Sequence, residues 1–218
     1  METIFYRPIR KRDHAQVKDI ICKAFSLDAY VTNAKLLEAV KTQYLYSCLS
    51  EATYTCVAEK DGQTVGVIMG NAKGDHSAIR HLPYLIKDLW YGMKIALYGR
   101  KYRRQAAGYR DIHTIYREFS DKHRGEFDGV LTLFAVDQDR RGLGVGNTLL
   151  DHLLGYWEKQ KVKRIYLYTD TTCTYGFYEH RGFERLESKG LQIERDGKPF
   201  QMEVFLYGYS LAKREPHK

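Results

Sequence analysis

The sequence predicts an α/β fold in which a mixed central sheet is flanked by helices and interrupted by a helical insertion. Three observations predict it. Two alternating β-type runs at 53–58 and 64–69 flank Asp61-Gly62, a dipeptide that favours a tight type I′ hairpin turn. A near-continuous apolar run at 129–136 fits a strand buried on both faces. Beyond it, Val145, Leu149, Leu150, Leu153, Leu154 and Trp157 recur at the 3.6-residue period of an amphipathic helix. The 218 residues suit one domain, 1–218, since domains run roughly 100–200 residues.

The elements follow in order. Thr3 to Ile9 alternates as a strand, and Asp13 stands as N-cap before Val17, Ile20, Ile21, Ala24 and Phe25 at helical spacing. A second helix is expected from Asn33 to about Leu49, ahead of the hairpin. Residues 76–125 carry helix-like runs, with an apolar face over 82–97 and a basic, tyrosine-rich stretch from Tyr98 to Arg110. About 50 residues are too few for an independent core, so this reads as an insertion. After the strand at 129–136 and its helix come a strand at 164–169 and a short helix around Cys173 to His180. Two strands, Phe183 to Ser188 and Phe200 to Tyr209, complete the set.

Composition narrows the function classes. No apolar stretch approaches the roughly 20 residues that cross a bilayer, and Met1-Glu2-Thr3-Ile4 lacks the layout of a secretory signal. The expectation is a cytoplasmic protein with no membrane partner. Cys22, Cys48, Cys56 and Cys173 are scattered and read as free thiols. No two histidines stand at H-x-x-x-H spacing or beside a cysteine pair, so no metal is expected. The net charge of +8 would suit a phosphorylated ligand but decides nothing alone.

The chemistry-bearing segment is Arg141-Gly142-Leu143-Gly144-Val145-Gly146, which follows the buried strand and opens a helix. The first N–H groups of a helix lack intrahelical partners and the helix dipole favours an anion there. Glycines admit close approach and unusual backbone angles, and Arg140 and Arg141 add positive charge. No Lys-Ser or Lys-Thr follows, as a P-loop would need, and the G-x-G-x-G spacing departs from the dinucleotide fingerprint. A plain helix–strand turn is the remaining alternative.

The same segment resembles the R/Q-x-x-G-x-G/A signature of the GNAT superfamily of N-acetyltransferases. Downstream, Tyr175-Gly176-Phe177-Tyr178-Glu179-His180-Arg181-Gly182-Phe183 looks like that family's Y-x-x-x-G-F element, and the resemblance spans about residues 129–188. It implies a mostly antiparallel sheet with acetyl-CoA as acyl-donor co-substrate in a V-shaped opening between the strands at 129–136 and 164–169. The pantetheine arm would pair with backbone along Phe134, Ala135 and Val136, and an N–H near Ala135 or Val136 would polarise the thioester carbonyl. The pyrophosphate would lie on Arg141, Gly142, Leu143, Gly144, Val145 and Gly146. By its place in the second element, Tyr178 would protonate the departing thiolate.

Some members of that family use a glutamate on the strand before the phosphate loop, where this chain has Val130, Leu131 and Thr132. Asp128, Glu126, Glu118 or His113 could deprotonate the amine instead, and none is assigned as the base. Cys173 with His180 invites a nucleophile reading, yet seven residues of helix would hold the two about two turns apart. Tyr98, Arg100, Lys101, Tyr102, Arg103, Arg104 and Tyr109 could grip an anion, but the insertion reads as a lid or dimer surface with 82–97 buried. The expected acceptor is a small-molecule primary amine, with room for a homodimer and no nucleic-acid partner. Two alternatives stay open: acetylation of a protein, peptide or tRNA-borne amino group, and a non-catalytic acyl-CoA sensor.

Overall fold

A computed structural model of the chain describes residues 3–74, 78–99, 103–137, 139, 143–195 and 198–213. Seven strands form one sheet in the order β1-β2-β3-β4-β5-β7-β6. The strands are β1 (Phe5–Arg7), β2 (Tyr54–Lys60), β3 (Gln63–Ala72), β4 (Gly129–Val136), β5 (Arg164–Asp170), β6 (Glu184–Arg195) and β7 (Lys198–Ser210). The helices are α1 (His14–Ala24), α2 (Leu27–Tyr30), α3 (Ala34–Glu51), α4 (Ala78–Gly99), α5 (Arg103–Lys122), α6 (Val145–Lys159) and α7 (Gly176–His180). Among the described residues every strand pair is antiparallel except β4 with β5, so the sheet is mixed, as the sequence pattern predicts, and mostly antiparallel, as the family resemblance implies.

Local chemistry explains the elements nearest the expectation. Lys60 pairs with Gln63 across a two-residue loop in which Asp61 (φ 51) and Gly62 (φ 76) both take the positive φ of a type I′ turn. Asn33 caps α3, its side chain accepting from the Leu36 N–H at 3.0 Å. Pro8 follows β1, which ends at Arg7 and is shorter than the predicted strand.

Asp13 takes the N-cap position of α1 but does not cap it, a correction to the sequence reading. Its carboxylate accepts from the Arg10 N–H at 2.7 Å and from both terminal nitrogens of Arg7 at 2.7 and 2.8 Å. Arg7 also donates through Nε to Glu59 at 2.7 Å, tying β1, α1 and β2 together. Asp13 is 3% exposed. Burial alone would raise its pKa, but hydrogen bonds from Arg7 and Arg10 and the charges of Arg7 and Arg12 outweigh it and leave it lowered. Asp13→Ala should therefore cost about 2 kcal/mol, since Arg7 loses the more buried of its two carboxylate partners while Glu59 still holds it. Because the folded pKa lies below the unfolded one, this contribution is present above the unfolded value, about 3.9, and is lost as pH falls through the folded value. Urea unfolding of both proteins at neutral and acid pH checks this, with the gap between them closing in acid.

The core has three parts. On one face α6 sends Leu149, Leu150, Leu153 and Trp157, all 0% exposed, against β3, β4, β5 and β7. On the opposite face α1 and α3 cover Val57, Val67, Met69, Leu133 and Ala135. α5 covers the far end of that face through Ile115 and Phe119, packed on Met202, Val204 and Leu206.

A bulge lies in the strand that this core surrounds. Met69 pairs with Leu133 but Gly70 pairs with Leu131, leaving Thr132 as the extra residue of β4. In an uninterrupted strand Leu131 and Leu133 would share a face. Here Leu131 joins the α6 side and Leu133 the α1–α3 side. Thr132 Oγ1 is buried with no partner among the described residues.

The insertion is helical as expected, formed by α4 and α5. Its orientation is not as expected. α4 packs on α3 through its polar and aromatic side: Tyr84 stacks on Tyr46 at 6.1 Å, and Asp88 accepts from Gln43 at 2.7 Å. That leaves the apolar side of 82–97 facing outward, with Leu82, Ile86, Leu89 and Leu97 each more than half exposed. α3 presents Gln43 and Tyr46 on this surface, and polar and aromatic groups complement them better than leucines would. No described helix is long and apolar enough to cross a membrane.

Candidate active site

The site begins where two parallel strands part. β4 and β5 pair only at Gly129–Ile165 and Val130–Tyr166. Asp128 holds the closed end of this wedge, accepting from the N–H groups of Lys163 at 3.0 Å and Arg164 at 3.2 Å. Past Val130 the strands diverge, so the β5-facing edge of β4 has unpaired backbone. The Asp137 N–H donates to the Val65 carbonyl at 2.9 Å, which sets the alternation along the β3–β4 ladder. Leu133 and Ala135 turn their N–H and C=O groups to β3. Phe134 and Val136 turn theirs into the wedge. Of the two donors the sequence offered, Val136 faces the opening and Ala135 is committed to β3.

The wedge ends at the first turn of α6. Arg141 and Gly142, with Arg140, lie outside the described residues. Leu143 is exposed, Gly144 takes the N-cap position with φ +74, and Val145 is buried. The first recorded helical hydrogen bond runs from Thr148 N–H to the Gly144 carbonyl at 3.1 Å, so the N–H groups of Val145, Gly146 and Asn147 precede the ladder. A Cβ on Gly144 would meet nothing within 4 Å, and the left-handed backbone is what calls for glycine. A Cβ on Gly146 would lie 3.4 Å from the Phe134 ring, an ordinary contact distance, so this first turn of α6 lies directly against β4.

One residue at this helix end was missed by sequence reasoning. Arg181, at the C-cap of α7, donates to Asn147 at 3.2 Å and to Asp151 at 2.5 Å. It brings a cation to the first turn of α6, and only its nearness to the second motif hinted at it.

Tyr178 lies on α7, which packs against this turn through Phe177 and Arg181. Its ring meets Phe134 at 6.3 Å, Phe177 at 5.7 Å, Phe183 at 5.6 Å and Tyr207 at 6.1 Å, so it bridges β4 and β7. It is 9% exposed, and burial drives its phenol well above the ordinary tyrosine range. The turn that returns from α7 to β6 uses Gly182 at φ +80, with the Phe183 N–H bonded to the Tyr178 carbonyl at 3.0 Å. Glu179 steadies α7 by accepting from Tyr207 and Arg185, both at 2.6 Å.

The cysteine reading finds no support in the geometry. Burial pushes the Cys173 thiol up to about 11, which keeps it protonated at neutral pH. His180 Nδ1 instead bonds the Gly176 carbonyl at 2.6 Å. Of the four carboxylate or imidazole candidates, Asp128 closes the base of the wedge, Glu126 pairs with His123 and Arg164, and Glu118 pairs with Lys189. His113 sits on α5 against Tyr116, which stacks in turn on Tyr168 of β5. Beneath α5, Tyr166, Tyr168, Ser120 and Lys73 help line a cleft of about 250 Å³. The basic cluster of the insertion, Arg100, Lys101 and Tyr102 with the side chains of Tyr98, Arg103, Arg104 and Tyr109, lies outside the described residues. Among the described residues no group of three or more His, Cys, Asp or Glu is placed to hold a metal ion.

A family model described as the acetyltransferase (GNAT) family matches residues 16–183. No curated protein matches the sequence. The structure is similar to that of PH1933 from Pyrococcus horikoshii OT3, at 17% identity and TM-score 0.60 over 95% of this chain and 98% of that one. It is also similar to a ribosomal-protein-alanine N-acetyltransferase from Brucella melitensis, at 16% identity and TM-score 0.54 over 94% and 99% of the two chains. The ribosomal-protein-S18-alanine N-acetyltransferase from Escherichia coli is a third likeness, at 11% identity and TM-score 0.53 over 96% and 94%. At these identities the likeness is one of fold.

Proposed function

The chain belongs to the acetyltransferase (GNAT) family, and from that premise we propose that it transfers the acetyl group of acetyl-CoA directly to a small-molecule primary amine. The observation that carries this reading is the wedge itself. One unpaired strand edge precedes a helix whose first N–H groups are unpaired, with a buried phenol beside the strand.

In this mechanism the N–H groups of Val145, Gly146 and Asn147 receive the pyrophosphate, with Arg181 adding charge and Arg141, Gly142, Leu143 and Gly144 as further binding residues. Backbone of Phe134 and Val136 aligns the pantetheine arm, and the Val136 N–H stabilises the oxyanion that forms when the amine attacks. The new C–N bond forms as the C–S bond breaks. Tyr178 gives its proton to the departing sulfur, and the proton shed by the amine restores the phenol through solvent. Burial keeps Tyr178 protonated until then. The protonated Cys173 thiol supports direct attack rather than an acyl-enzyme.

Thiol release from acetyl-CoA, followed across panels of small amines, polyamines and peptides, tests the proposal. Release with small primary amines is expected. Release with peptides alone would replace the small-molecule acceptor by a macromolecular one, and binding without release on any panel would favour the sensor.

A further inference from the structure

The apolar side of α4 is the largest feature that this chemistry leaves unused. Leu82, Ile86, Leu89, Trp90, Met93 and Leu97 recur at intervals of three and four residues and are 51–65% exposed. They form one stripe about 22 Å long on a helix that rises 1.5 Å per residue. Scattered exposed leucines need no explanation, but a contiguous stripe marks an interface.

What meets it is indicated by charge. Lys87 and Lys94 lie seven residues apart along one flank, and the sequence continues that spacing at Arg80 and Lys101. Lys94 Nζ sits 5.3 Å from the Trp90 ring centre, at the edge of the stripe, and Lys87 Nζ sits 4.8 Å from that of Tyr46. Asp88 is the acidic residue of α4, and it is turned to α3, bonded to Gln43. A tryptophan at the edge of a leucine-rich stripe, a cationic flank and a net charge of +8 complement an anionic lipid surface. A second copy fits less well. Antiparallel pairing of two stripes would set both lysine rows on the same side of the seam, with no α4 carboxylate between them.

We propose that α4 lies flat on anionic phospholipid bilayers, with Leu89 and Met93 in the acyl boundary and Lys87 and Lys94 at the headgroups. No spanning segment is required. The earlier expectation of no membrane partner rested only on the lack of one.

The test mixes the full chain with vesicles of phosphatidylcholine alone and of phosphatidylcholine with phosphatidylglycerol. Co-sedimentation with the anionic vesicles, weakened by salt, is expected. Trp90 emission should shift to shorter wavelength, and the signal is clean because the other tryptophan, Trp157, is already fully buried. Leu89→Glu and Met93→Glu should each reduce partitioning about tenfold or more. Both positions are exposed, so unchanged melting temperatures should show that the fold survives. Failure to sediment with anionic vesicles, or equal binding to neutral ones, would overturn the proposal. So would a dimer in light scattering that Leu89→Glu dissolves, which would give the stripe to a second copy.

Discussion

Acetyl-CoA should raise the melting temperature of the wild-type chain by roughly 5–10 °C at a concentration of 100 times its Kd. Binding at that level adds about 2.7 kcal/mol, and each kcal/mol moves a chain of this size by roughly 2–4 °C. Gly144→Glu should abolish the shift. Position 144 is the N-cap of α6, at the unpaired N–H groups of Val145, Gly146 and Asn147. A carboxylate there would satisfy those donors itself and repel a pyrophosphate. The substitution also forces a residue with a Cβ into φ +74, a strain of about 1 kcal/mol. Gly144→Asn separates the two effects, because asparagine tolerates left-handed backbone and brings no charge. The asparagine variant should keep most of the shift. A glutamate variant that still responds fully would move the phosphate site elsewhere.

What could be read from sequence follows the range of the forces involved. The type I′ turn and the buried side of α6 depend on residues within one or two turns of each other, and periodicity reports them directly. The strand–turn–helix around Gly144 and the Tyr178–Phe183 turn are local in the same sense. The ion triad is not. Asp13 occupies the position its residue type suggested, but Arg7 and the Arg10 N–H claim its carboxylate, and Glu59 completes the set from 46 residues further along the chain. The Thr132 bulge left no trace, because a register slip depends on the partner strand. β6 runs on to Arg195, seven residues past the predicted Ser188 end, because β7 supplies its ladder while its own residues are mostly polar. For α4 the period was plain but not which side turned inward. That choice belonged to α3, whose Gln43 and Tyr46 favour the polar side.

Tyr178→Phe should lower kcat by roughly 10²-fold or more, the scale of a positioned general acid. The KM for acetyl-CoA should stay nearly constant, since the ring remains and only a transition-state interaction is removed. Stability should change little. Tyr178 donates no recorded hydrogen bond among the described residues, and its contacts with Phe134, Phe177, Phe183 and Tyr207 are ring contacts that phenylalanine preserves. The pH profile offers an independent check. An acid must hold its proton, so activity would fall as pH rises through the Tyr178 pKa. Burial lifts that pKa above the ordinary value of 10.0, and the wild type should therefore show no loss from this group up to that pH. Poor thiolate departure in the variant should be relieved by an acyl donor whose thiol is more acidic, because such a leaving group needs less protonation. Thiol release that survives Tyr178→Phe undiminished would remove this phenol from the chemistry and leave it a packing residue between β4 and β7.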